Sequence, residues 1–254
     1  MGPSTNRRTW LTGLGCATAH SLLSRPARAD ERVPGPKVMI VGGSQIAGAF
    51  GMWLAKALEE DGYETHRQAR SASGLARPDF YDWPSLLEEL LAEHDPDGVV
   101  VMFGGNDAQG LRMPKDHDPK WIRWGEEGWF DEYRNHVETF AELIAPDDSR
   151  QIYWLGMPAM RSSKLDGRIK QINDVYRSVI AGRESGFYYE TRPVLADGQG
   201  RFVDHMTIGG ESVRVRAHDG VHLRGPGARR LIEHIQPWIE QHLRIVPSGP
   251  VNQA

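Results

Sequence analysis

Three segments far apart in the chain carry residues that could do chemistry together: Gly42-Gly43-Ser44, Gly104-Gly105-Asn106-Asp107 and Asp219-Gly220-Val221-His222. A hydroxyl, a side-chain amide and a carboxylate-paired imidazole are the parts of a nucleophilic acyl-transfer site. An aspartate that accepts from one ring nitrogen fixes the tautomer, and the other nitrogen is then free to take the serine proton. An amide donor offsets the charge on a tetrahedral oxygen, and losing one such donor costs about 3 kcal/mol of transition-state stabilisation. Each segment also has a plainer reading. Ser44 could be a helix N-cap, Asn106-Asp107 an ordinary turn, and Asp219 to His222 a solvated loop. A zinc cluster of His205, His218 and His222 is a further alternative, although no H-E-x-x-H or cysteine-containing set accompanies it.

The elements that must position these residues read as an α/β chain. Apolar runs near 37–42, 62–67, 98–103, 151–156 and 186–190 predict five strands, and helices are expected near 46–60, 84–94, 129–145, 167–182 and 226–243. The run Gly98 to Phe103 is rich in β-branched residues and does not alternate, as suits a strand buried on both faces. Strands alternating with helices imply a three-layer α/β/α sandwich around a mostly parallel five-stranded sheet. In such a sheet ligands bind at the carboxyl ends of the strands. Ser44, Gly105 and Asn106 all fall on that edge, and Ser44 opens a helix whose N-terminus favours an oxyanion.

Taken together the segments resemble the SGNH (GDSL-like) hydrolase superfamily, whose blocks run serine, an isolated glycine, Gly-x-Asn-Asp and Asp-x-x-His in that order. The resemblance implies Ser44 as nucleophile, Asp219 and His222 as the rest of a triad, and an oxyanion hole from Ser44 N–H, Gly74 N–H and Asn106. It departs at Gly43, where the superfamily usually has Asp. Ser73-Gly74-Leu75-Ala76-Arg77-Pro78-Asp79, Asp82-Trp83-Pro84 and Trp154-Leu155-Gly156-Met157-Pro158 are similar to an exported bacterial branch catalogued mainly as a domain of unknown function. Relatives in the superfamily include esterases and enzymes that transfer acyl groups to or from polysaccharides. The resemblance therefore implies acyl chemistry more closely than it names the acceptor.

The first 29 residues read as a twin-arginine signal peptide, with Arg7-Arg8, an apolar stretch from Trp10 to Leu23, and Ala27-Arg28-Ala29 before a cleavage point. Residues 30–254 are then one exported, periplasmic domain. Cleavage removes four arginines and no acid, lowering the formal charge from −4 to −8. A negative surface without a basic run excludes nucleic acid as the expected partner. It also removes the one cysteine, Cys16, which after Gly13-Leu14-Gly15 makes a poor lipobox. Nothing else in the sequence is long enough to span a membrane, and nothing implies a cofactor.

Two insertions are expected to shape specificity. Residues 109–128 follow the Asn106 turn and carry Trp121 and Trp124, which either stack on sugar rings or, the preferred reading, staple the loop to the core. Residues 198–216 suggest a hairpin that delivers Asp219 and His222, with Arg214 and Arg216 either recognising an anionic group or, the preferred reading, solvating an exposed strand face. The expected activity is a serine esterase acting on a small acyl ester or acylated glycan. O-acyl transfer to a glycan and a catalytically silent carbohydrate-binding protein are the alternatives.

Overall fold

A computed structural model describes residues 35–243. In chain order the elements are β1 (Lys37–Gly42), α1 (Ser44–Ala47), α2 (Ala49–Glu60), β2 (Glu64–Ala69), α3 (Trp83–His94), β3 (Gly98–Met102), β4 (Leu111–Arg112), β5 (Trp121–Ile122), α4 (Trp129–Ile144), β6 (Gln151–Leu155), α5 (Ser163–Ile180), β7 (Gly186–Tyr189), β8 (His205–Ile208), β9 (Glu211–Arg214) and α6 (Gly225–His242). The expected signal peptide lies outside the described residues.

Five strands form one parallel sheet in the order β2-β1-β3-β6-β7. β1, β3 and β6 sit inside it and are almost wholly buried, which is why their sequences are unbroken apolar runs; the edge strands β2 and β7 are only half-buried. Helices α2 and α6 pack together on one face, while α3, α4 and α5 form a continuous layer on the other. The aromatic core on that second side runs from Trp83 through Phe103 and Phe140 to Trp154 in edge-on contacts. The chain moves from β1 outward to β2 and then crosses back to β3, so strand order reverses between β1 and β3. That is the point where open α/β sheets leave a crevice.

The first expected helix and the second expected strand differ in the structure. The helix expected over 46–60 is broken at Gly48, which is extended (φ −84°, ψ −166°) and lets α2 start at a new angle. The break brings Gly51 onto α1, where a β-carbon would lie 2.1 Å from Ile46 O. The second strand begins at Glu64 instead of residue 62, because Gly62 is still turning at φ +93°. The hairpin expected in 198–216 is present as β8 and β9, antiparallel with His205 opposite Arg214. Among the described residues no helix is long and apolar enough to cross a membrane.

Candidate active site

Ser44 follows β1 at the reversal point. β1 must turn sharply against the end of β3, since a β-carbon at Gly42 would lie 2.3 Å from Met102 O, so only glycine fits there. Ser44 is the first residue of α1, and its N–H has no intrahelical acceptor. Its hydroxyl oxygen lies 2.7 Å from His222 Nε2, and His222 Nδ1 lies 2.6 Å from Asp219 Oδ2. A carboxylate can only accept, so Nδ1 carries the proton and Nε2 is left as acceptor for the Ser44 hydroxyl.

The loop holding the other two residues is closed on itself. Ala217 N–H donates to His222 O, Gly220 N–H to Ala217 O, and Asp219 Oδ1 takes the N–H groups of Val221 (2.8 Å) and His222 (3.0 Å). Partial burial pushes the Asp219 carboxyl up, but the His222 ring and these two N–H groups outweigh it and hold the pKa well below the usual carboxylate range. Asp219 and His222 remain 48% and 42% exposed, so the pair opens to solvent and to a substrate.

Of the expected oxyanion donors, the Asn106 amide is held by a carbonyl of the loop that carries Gly74. Asn106 Nδ2 donates to Ser73 O at 3.2 Å, and a β-carbon on Gly43 would lie 3.1 Å from the same oxygen. Ser73 O is thus the junction of the Ser44 turn, the Asn106 turn and the loop that carries Gly74. One hydrogen of the Asn106 amide is spent on this junction and one remains for a ligand. The rival histidine cluster does not form: His205 is exposed on β8, and His218 Nε2 lies 3.5 Å from Arg214 Nη1. Among the described residues no group of three or more His, Cys, Asp or Glu side chains is disposed to hold a metal ion.

A family described as a protein of unknown function, DUF459, matches residues 37–238, nearly all of the sequence from β1 to α6. The chain belongs to this family. No curated protein matches it in sequence. Three solved structures show the same fold as this DUF459 chain. A variant of an acetyl xylan esterase from Geobacillus stearothermophilus is 17% identical, with 84% of this chain and 98% of that one covered and a TM-score of 0.55. An alpha/beta hydrolase from the metagenome of Lake Arreo is 16% identical over 82% and 95%, TM-score 0.55. A protein from Parabacteroides merdae assigned as a GDSL-like lipase is 13% identical over 84% and 98%, TM-score 0.53. The fold is that of the SGNH hydrolases.

Two residues at the DUF459 site escape a reading of the sequence. Asp107 looks like half of an Asn-Asp turn, yet it is fully buried, and its Oδ1 accepts the Ala76 N–H at 2.8 Å, two residues beyond Gly74. Burial raises its pKa to about 6, against the N–H groups of Ala76, Gly104 and Leu75 and the Tyr133 hydroxyl, which favour the charged form. Arg216, expected on a solvated face, is 0% exposed and points beneath the His222 loop. Arg214 is half-buried over Arg216 O and 3.8 Å from Asp204. Apolar neighbours at 213 and 215 and the run into the next turn were the only signals that this strand end goes inside. Of the two tryptophans, Trp124 packs on Trp129 at 4.2 Å as a staple, whereas Trp121 is 41% exposed between Arg77 and Arg112.

Proposed function

We propose that this DUF459 protein is an exported serine esterase that cleaves acyl esters, O-acetyl groups first among them, through an acyl-serine intermediate. The observation that carries the reading is the unbroken hydrogen-bond chain from Ser44 Oγ through His222 to Asp219. Ser44 Oγ attacks the ester carbonyl while His222 Nε2 takes its proton, and Asp219 stabilises the imidazolium. The carbonyl oxygen, now negative, receives hydrogen bonds from the N–H groups of Ser44 and Gly74 and from the Asn106 amide. The imidazolium returns its proton to the departing alkoxide. Water, deprotonated by His222, then attacks the acyl-serine, the acid leaves, and Ser44 recovers its proton.

Fold likeness to an acetyl xylan esterase supports an acetylated glycan as the substrate class. Residues 1–29 serve as the export signal in this proposal, and residues 30–254 as the mature enzyme. Burst kinetics with an activated acetate ester test it. A stoichiometric burst that disappears in Ser44→Ala is expected. Absence of burst and turnover in the wild type sinks the esterase and leaves a glycan-binding protein, while acetyl appearing on an added glycan faster than as free acetate renames the enzyme a transferase.

A further inference from the structure

The loop that carries Asp219 and His222 rests on a buried cation. Arg216 has no carboxylate within ion-pair distance among the described residues, and its Nε and Nη1 have no hydrogen-bond partner. Its Nη2 donates to Val221 O at 2.9 Å and reaches Gly220 O at 3.4 Å, while Phe202 covers the guanidinium at 5.0 Å. Desolvating a guanidinium that leaves donors unused costs stability, and an apolar side chain of similar volume often serves a fold as well. Nor do the two carbonyls depend on it. Gly220 O also accepts the Arg161 N–H at 3.1 Å, and Val221 O accepts Gln45 Nε2 at 2.8 Å.

What the cation does fix is position. Gly220 and Val221 are the two residues between Asp219 and His222, and buried Gln45 directly follows Ser44. Val221 O is therefore gripped both from the nucleophile's helix and from the segment just after β9, beneath the acid–base loop. We propose that Arg216 is a positioning residue: with Gln45 it clamps the Val221 carbonyl and so sets the separation of Ser44 Oγ and His222 Nε2 across which the proton moves. The kinetic consequence rests on the serine-esterase reading; the clamp itself does not.

The test compares Arg216→Met, Arg216→Lys and Gln45→Ala in the full chain by three measurements: the downfield NMR resonance of the His222 Nδ1 proton, kcat against KM on an activated acetate ester, and Tm. Misplacing a reacting group by about 1 Å costs roughly 10²-fold, so Arg216→Met is expected to lower kcat by about that factor with KM within about threefold. Its Nδ1 resonance broadens or shifts, its Tm is unchanged or higher, Arg216→Lys recovers part of the loss, and Gln45→Ala moves the same way. A wild-type resonance and kcat in Arg216→Met overturn the clamp. So does a kcat loss matched by a fall in Tm that lysine does not relieve. Should the methionine variant fail to fold, Arg216→Lys and Gln45→Ala carry the same comparison. If the wild type shows no turnover, the esterase reading falls, and the resonance alone decides the clamp.

Discussion

The Asp107 carboxylate lies so close against the α-carbon of Gly74 that a β-carbon there would sit 2.4 Å from Oδ1 and 2.5 Å from Oδ2. Asp107 is buried and tied to the Ala76 N–H, so it has little room to retreat. Gly74→Ala must therefore push the loop outward and carry the Gly74 N–H with it. Overpacking of this kind costs about 1–3 kcal/mol of stability. Loss of one oxyanion donor costs about 10²- to 10³-fold in kcat. Urea unfolding and ester turnover of Gly74→Ala measure both, and a wild-type kcat in a folded variant removes Gly74 from the oxyanion hole.

The same carboxylate gives the fold a pH dependence of definite sign. Its folded-state pKa is raised to about 6 by burial, above the ordinary aspartate value near 4. Between those two values the folded protein holds a proton that the unfolded chain releases, so this group's contribution to stability falls as pH rises through the window. The loss is complete above the folded pKa and amounts to about 3 kcal/mol at most, at 1.36 kcal/mol per unit. In Asp107→Asn the side-chain oxygen still accepts from Ala76 while nothing ionises. Subtracting the variant's unfolding free energies from the wild type's at pH 4.5 and pH 7 isolates the effect. A difference that does not change with pH shows that Asp107 ionises normally.

What could be read from sequence divides along physical lines. β1, β3 and β6 are almost wholly buried, so their apolar runs carried their own assignment, and the Gly-rich turns after β1 and β3 located the sheet edge where Ser44 and Asn106 stand. The break at Gly48 was invisible because it serves a contact between Gly51 and Ile46 that only the assembled turn creates. Arg216 was misread for a related reason. Polarity alone sends an arginine to water, whereas its partners are backbone carbonyls of a loop that folds back over it. Among the described residues Asp107 has no cation in ion-pair contact to advertise its burial, and it is held by the Ala76 N–H.

Asp219 bears on how the proposed relay should fail. Asp219→Asn keeps the shape but offers Nδ1 a group that can present a donor, which favours the wrong tautomer. By analogy with the serine protease template, kcat should fall about 10⁴-fold with the fold intact. Because its neighbours hold the Asp219 pKa well below the usual range, the carboxylate stays ionised in mild acid. An acid limb of kcat/KM above about pH 4 must then persist in position when the Asp219 hydrogen bonds are weakened by Val221→Pro, which deletes one N–H donor. A limb that moves with that substitution assigns it to Asp219 instead.

Trp121 and Trp124 occupy one insertion but should respond differently to removal. Trp124 lies 4.2 Å from Trp129, 5.5 Å from Phe130 and 4.8 Å from the Arg168 guanidinium, so Trp124→Ala opens a gap against α4. The cost should approach, without reaching, the roughly 3–5 kcal/mol of a fully buried tryptophan. Trp121 instead stands between Arg77 at 4.7 Å and Arg112 at 5.2 Å, on a hairpin joined to the Gly74 loop by the bond from Arg112 N–H to Ala76 O. Its exposed indole is the aromatic face that the proposed glycan substrate would stack on. Such a stack is worth about 0.5–1.5 kcal/mol, so Trp121→Ala should raise KM for an acetylated oligosaccharide by about 3- to 10-fold. On a small activated ester it should change nothing. Equal effects on both substrates turn Trp121 into a second staple, held by its two arginines and indifferent to the glycan.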